Sequence, residues 1–120
     1  MSAYQNSVSI NPYFKISDEN KAAAQEMLKV FCELVKKEPG CLYYNFAFMG
    51  NVMTCREAYV DAAAVLAHLA NCGEALSKFT KIAELFRIEV LGPAEELDKL
   101  RGPLSGMNPD YFVLACGIGK

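Results

Sequence analysis

One stretch limits what this chain can fold into: CLYYNFAFM, Cys41–Met49. In an extended conformation Leu42, Tyr44, Phe46 and Phe48 point to one side and Cys41, Tyr43, Ala47 and Met49 to the other, so the segment is apolar on both faces. A strand of that kind has to be covered twice. Gly50 and Asn51 follow and can turn the chain back into VMTCREAY, Val52–Tyr59, which makes a β-hairpin the natural reading.

Upstream, VSINPYFKI (residues 8–16) is rich in β-branched and aromatic residues and reads as a strand, with Pro12 pointing to an edge or a bulge. Ser17 is placed to cap a helix in which Ala24, Met27, Leu28, Phe31, Leu34 and Val35 recur at steps of three and four; Glu38, Pro39 and Gly40 stop it. After the hairpin, Asp61 caps a helix whose stripe of Ala62, Val65, Leu66 and Leu69 ends near Gly73. A second helical stretch carries Leu76, Phe79, Ile82, Ala83 and Phe86, and RIEVL (residues 87–91) alternates as a half-buried strand. Residues 92–100 read as a short helix with Pro93 near its start, and residues 111–118 as a final strand.

The order is strand, helix, strand, strand, helix, strand, then a short helix and strand. That is an α+β pattern, a ferredoxin-like split βαβ with an antiparallel sheet. It is expected as one domain over residues 1–120, with its core at about 8–91 and a C-terminal extension at 92–120. One sheet face takes the helices. The other has no second sheet to cover it in a chain of 120 residues, so a two-fold homodimer, sheet against sheet, is expected.

A net charge of -2, with no run of Lys or Arg, leaves no electrostatic footprint for nucleic acid or an anionic membrane. The N-terminal stretch lacks a basic segment followed by an apolar one, and no apolar run approaches membrane-spanning length. The protein is therefore expected to be soluble and cytoplasmic. Its five cysteines contain no CxxC pair, so neither a disulfide framework nor a zinc knuckle is signalled, and each lies in an apolar segment as a buried free thiol. No glycine-rich nucleotide loop or metal-ligand spacing appears; no cofactor and no metal are expected.

His68 is the only histidine. It falls on the border of its helix's apolar stripe, beside Val65 and Cys72. It is either a half-covered helix residue or a group reaching a cavity between helices and sheet, where imidazole can accept a proton near neutral pH. Glu57, on the strand that leads into this helix, either orients the ring or pairs with Arg56 or another surface charge. Tyr44, Asn45 and Tyr59 are candidate polar lining of such a cavity and Val65 apolar lining, with core or dimer packing the alternative for each. Tyr43 and Tyr44 face opposite ways, so only one can line it.

At EPGCLYYNF and EAYVDAAAVLAHLAN the chain resembles the antibiotic biosynthesis monooxygenase (ABM) family of dimeric α/β barrels. In the first segment an acidic residue, Pro, Gly and Cys precede an aromatic strand. In the second, Glu57 is followed two residues on by an aromatic, then by a short acidic turn, alanines and His68. The resemblance covers about residues 8–90. Many members carry tryptophan where Tyr59 stands, and this chain has none.

The resemblance implies a homodimer and cofactor-independent oxygenation of a small aromatic or quinol-like molecule. His68 would take the phenolic proton with Glu57 orienting it, and the phenolate would pass an electron to dioxygen. Two alternatives stay open. One is a non-catalytic dimeric module holding a small apolar ligand, and the other a haem-binding or haem-degrading relative with His68 as axial ligand.

Overall fold

The structure, a computed structural model, describes residues 4–120; the start of the stretch read for a leader, residues 1–3, lies outside them. The two-faced segment is strand β2 (Cys41–Met49), and Gly50, at φ 56°, turns it into β3 (Val52–Tyr59). A backbone at positive φ favours a residue with no Cβ. Both strands keep the boundaries read from the sequence.

Strand β1 (Val8–Lys15) lies in the middle of the sheet, between β3 and β4 (Glu84–Gly92), and the order is β2-β3-β1-β4-β5 with β5 at Asp110–Val113. Pro12 therefore marks a bulge in a central strand and not an edge: the register with β4 shifts between Tyr13 and Phe14. Proline has no N–H for the ladder. Neighbouring side chains supply the missing bonds, Asn11 Nδ2 donating to the Cys55 carbonyl at 3.3 Å and the Thr54 hydroxyl to the Pro12 carbonyl at 2.8 Å.

The first four strands are mutually antiparallel where they pair, as a split βαβ requires, but β5 runs parallel to β4. The sheet is thus mixed: the antiparallel core expected of the split βαβ is present, and the C-terminal strand adds a parallel edge to it. The last strand is also shorter than residues 111–118, and beyond Val113 the chain is exposed.

Helix α1 (Lys21–Val35) buries Ala24, Leu28, Phe31 and Val35, the stripe expected of it. Ser17 does not cap it. A single 3-10 turn, Asp18–Asn20, intervenes, and the serine hydroxyl makes no capping bond. Helix α2 (Ala62–Phe79) starts at Asp61, whose side chain accepts from the Ala64 N–H. It does not end at Gly73. One glycine inside a helix costs about 1 kcal/mol relative to alanine, and continuing the helix buries Cys72 and Phe79 on the same face. The second helical stretch expected through Phe86 does not exist, because the chain turns after Phe79 and β4 begins at Glu84. Phe86 then lies on a strand, exposed on the face away from the helices.

Helices pack on one sheet face in two apolar clusters. The first joins Val8, Ile10, Tyr59, Val65, Ile88 and Val90 to Leu97 and Leu100 of α3 (Ala94–Leu100). The second joins Phe14, Met53, Leu28, Phe31, Cys72 and Phe79, with Phe79 edge-on to Phe14 and Phe31 at 5.2 and 5.6 Å. The opposite sheet face mixes exposed Tyr43, Met49 and Phe86 with an Arg87–Glu89 ion pair at 2.9 Å. Among the described residues no helix is long and apolar enough to cross a membrane.

Candidate acid–base site

The two clusters leave a cavity at their seam. It admits the centre of a water-sized sphere over about 70 Å³, several times the roughly 10–15 Å³ one water needs. Its walls are mostly apolar, including Ile10, Phe14, Phe31, Phe46 and Leu85, and the C-terminal extension adds Leu104 and Met107. Against that background stand Tyr44, Glu57 and His68.

Each polar group is delivered by a different element. Residues of β3 alternate, so Met53, Cys55, Glu57 and Tyr59 turn inward, and Glu57 pairs in the ladder with Tyr44 of β2. Helix α2 carries His68 and Cys72 one turn apart on its buried face. The turn after α1 brings Glu38 over them. His68 is 5 % exposed and Glu57 5 %.

His68 Nδ1 lies 3.0 Å from both carboxylate oxygens of Glu38, and Nε2 lies 3.5 Å from Glu57 Oε1. A carboxylate only accepts, so the closer contact favours a proton on Nδ1, with Nε2 turned to the Glu57 side. Glu38 is itself held by Asn71, whose Nδ2 donates to Oε2 at 2.8 Å and to the Leu34 carbonyl at 3.0 Å. The Tyr59 hydroxyl donates to Glu57 Oε1 at 2.7 Å.

Burial raises the Glu57 carboxyl above its ordinary range, outweighing the opposing pull of His68 and of the Tyr59 hydrogen bond. Burial also raises the phenols of Tyr44 and Tyr59, helped by the charge of Glu57. It pushes the Cys72 thiol up to about 12. The site therefore sets one imidazole between two carboxyl groups, one of which, Glu57, holds its proton more tightly because it is buried.

His68 and Glu57, singled out in the sequence, do come together. Tyr44 lines the cavity with its ring centre 5.4 Å from that of His68. Tyr59 stands behind Glu57, fully buried, its ring 5.0 Å from the imidazole. Val65 does not line the cavity; it packs in the first cluster, and Leu69 and Cys72 form the α2 wall. Asn45 points to the other sheet face, exposed, and accepts from Arg56 Nε at 3.1 Å. Being adjacent to Tyr44 on a strand excludes it from the cavity side.

Glu38 was legible only as part of a helix stop, and its role depends on a contact across 30 residues. Glu96 was missed as well: it is buried, and accepts from the Ala62 N–H at 2.9 Å, tying α3 to the start of α2. The cysteines divide. Cys55 and Cys72 are buried and Cys41 partly so, but Cys32 and Cys116 are exposed, against the expectation for all five. Glu38, 30 residues upstream in sequence, joins His68 and Cys72, four apart on α2, and the three place their donor atoms within 4.8 Å of one another.

No protein-family model and no curated protein matches the chain. Solved structures do. MupZ from Pseudomonas fluorescens is 44% identical over 96% of this chain and 95% of its own, with a TM-score of 0.93. Two proteins assigned as antibiotic biosynthesis monooxygenases share the fold. The one from Caulobacter crescentus CB15 is 20% identical over 76% of this chain and 92% of its own, with a TM-score of 0.67. The one from Deinococcus radiodurans is 19% identical over 69% and 88%, with a TM-score of 0.62. With its βαββαβ sheet, its helices on one face and its match to MupZ along nearly the whole chain, the protein belongs to one family with MupZ and has the fold of the proteins assigned as antibiotic biosynthesis monooxygenases.

Proposed function

We propose that this protein is an enzyme that moves protons on a small, largely apolar molecule bound beneath α2, with His68 as base and Glu57 as acid. The observation that carries this reading is the pair of contacts on one imidazole: Glu38 at 3.0 Å on Nδ1 and Glu57 at 3.5 Å on Nε2. Glu38 fixes the ring's tautomer and stabilises the imidazolium as it forms, the part a buried carboxylate plays in a catalytic triad. The apolar walls exclude water and bind the substrate's carbon skeleton.

In the oxygenase form of the reading, the substrate is a phenol or hydroquinone. His68 takes its proton, the electron-rich anion reacts with dioxygen, and no cofactor is required of the protein. One feature favours a second, redox-neutral form. An oxygenase of this kind needs a base, whereas Glu57, whose hold on a proton is strengthened by burial, stands beside that base and suits a reaction that both removes and delivers a proton. A haem-sized ligand would require the helices to part from the sheet.

Exposed Tyr43, Met49 and Phe86 on the open sheet face support a homodimer through that face.

The test is a panel of small phenols and hydroquinones incubated in air and under nitrogen. Oxygen uptake that disappears in His68→Ala supports the oxygenase form. Conversion under nitrogen, with deuterium entering from heavy water, supports the redox-neutral form. Saturable binding with no conversion in either atmosphere overturns both in favour of a binding module.

A further inference from the structure

We propose that Glu38, His68 and Cys72 form a binding site for a borderline-soft divalent cation of the zinc class. The donors are one carboxylate oxygen, one imidazole nitrogen and one thiol sulfur, a set that suits zinc and excludes the hard, oxygen-seeking cations. Oε2 of Glu38 lies 3.0 Å from His68 Nδ1, and Cys72 Sγ lies 3.8 Å from each. Bonds of about 2.0–2.3 Å at tetrahedral angles place ligand atoms roughly 3.3–3.6 Å apart. Each edge of the triangle needs to change by less than about half an ångström to meet that range.

The surroundings also fit. His68 and Cys72 are four residues apart on one helix face, which fixes their separation, and they are 5 % and 2 % exposed. Asn71 holds Glu38 in place without being a ligand. Nε2 of the same imidazole faces Glu57, the outer carboxylate that commonly orients a metal-bound histidine. Among the described residues the ion-pair partners of Glu38 and Glu57 are limited to His68, with no Lys or Arg. A cation supplies the positive charge that this cluster lacks.

Glu38 also borders a surface groove whose walls include Lys37, Gly40, Ala64, Ala67 and Asn71. On binding, Cys72 gives up its thiol proton to solvent, and the imidazole proton moves from Nδ1 to Nε2, where Glu57 accepts its hydrogen bond. The ion thus occupies the nitrogen and the carboxylate whose hydrogen bond prepares His68 as a base. On the proton-transfer reading such an ion would compete with the base; the site itself rests on the donor atoms and their surroundings and does not depend on that reading.

The experiment titrates the chelator-stripped full chain with Co²⁺, then displaces it with Zn²⁺. One equivalent of Co²⁺ should produce a thiolate-to-cobalt charge-transfer band, absent in Cys72→Ser and retained when exposed Cys32 and Cys116 are both replaced by serine. Glu38→Gln should weaken Zn²⁺ binding at least tenfold. Wild-type protein provides a readout that needs no variant: the single histidine, observed by ¹⁵N NMR, should change from the Nδ1–H to the Nε2–H tautomer on adding Zn²⁺. No charge-transfer band, a band that survives Cys72→Ser or is lost with the two exposed thiols, or a histidine signal unmoved by saturating Zn²⁺ would each overturn the site.

Discussion

Glu38 and His68, 30 positions apart, meet with Nδ1 at 3.0 Å from each carboxylate oxygen, while Glu57 approaches the other ring nitrogen only to 3.5 Å. On the proposed reading the nearer carboxylate, Glu38, orients the imidazole in place of Glu57. Replacing His68 with Ala should lower turnover by about 10²- to 10⁴-fold, the range for loss of a general base. Glu38→Gln should leave the fold intact but abolish the preference for Nδ1–H in the ¹⁵N spectrum of the lone histidine. An unchanged tautomer would return the orienting role to Glu57.

The Glu57 carboxyl has a specific signature in the pH dependence of stability. Its folded-state pKa is raised above 4.5 by burial, so between 4.5 and that raised value the folded protein binds more protons than the unfolded chain. Stability then falls as pH rises through this window. Glu57→Gln cannot ionise, and its melting temperature relative to wild type should climb as pH increases from 4.5 upward. A difference that is flat with pH, or that shrinks, would contradict the burial account.

Close packing at the mouth of the groove gives a stability test. A Cβ on Gly40 would come within 2.5 Å of Ala64 Cβ, too near for two carbon atoms. Gly40→Ala should destabilise by about 1–3 kcal/mol, as overpacking generally does. Ala64→Gly should recover part of that loss in the double variant, despite being unfavourable by itself in a helix. Additive losses in denaturant titrations would show that the contact is relieved elsewhere.

Charge placed on the open sheet face tests the homodimer. Tyr43 and Ala47 lie on that face, and Phe46 lies in the cavity wall. Tyr43→Lys or Ala47→Lys should shift sedimentation toward monomer without lowering the cavity's affinity for apolar dyes, because an unpaired charge would be desolvated in the interface. Phe46→Lys should instead damage the fold. A wild-type protein that sediments as a monomer at micromolar concentration removes the sheet-to-sheet dimer.

Truncations divide the C-terminal extension. Tyr111 packs on the first apolar cluster, donates to the Leu100 carbonyl at 3.4 Å and lies under Arg101, 4.5 Å from its ring centre. Removing residues 109–120 should lower the melting temperature and promote aggregation. Removing residues 115–120, beyond the Leu114 N–H bond to the Gly92 carbonyl at 3.0 Å, should change stability by no more than about 0.5 kcal/mol, as for other exposed positions. Equal losses from both deletions would place structure in the tail.

Local pattern determined much of this protein. Alternation fixed β2 and β3, because a one-residue slip would exchange every inward side chain for an outward one. The stripe on α1 and the Asp61 cap on α2 followed in the same way from spacing along one element. Strand alternation likewise put Tyr44 and Glu57 on the inward faces.

Tertiary structure decided the rest. Gly73 reads locally as a helix end, but burial of Phe79 between Phe14 and Phe31 outweighs its propensity. Pro12 reads locally as an edge or a bulge, and the bulge in a central strand holds because side chains of Asn11 and Thr54 replace what its backbone lacks. Glu38 is the clearest case. As part of Glu-Pro-Gly it is a helix terminator, and only the packing of the α1–β2 turn against α2 brings its carboxylate to His68. Spacing reports neighbours on one element; a contact between elements depends on how they dock, and that is settled by the core they share.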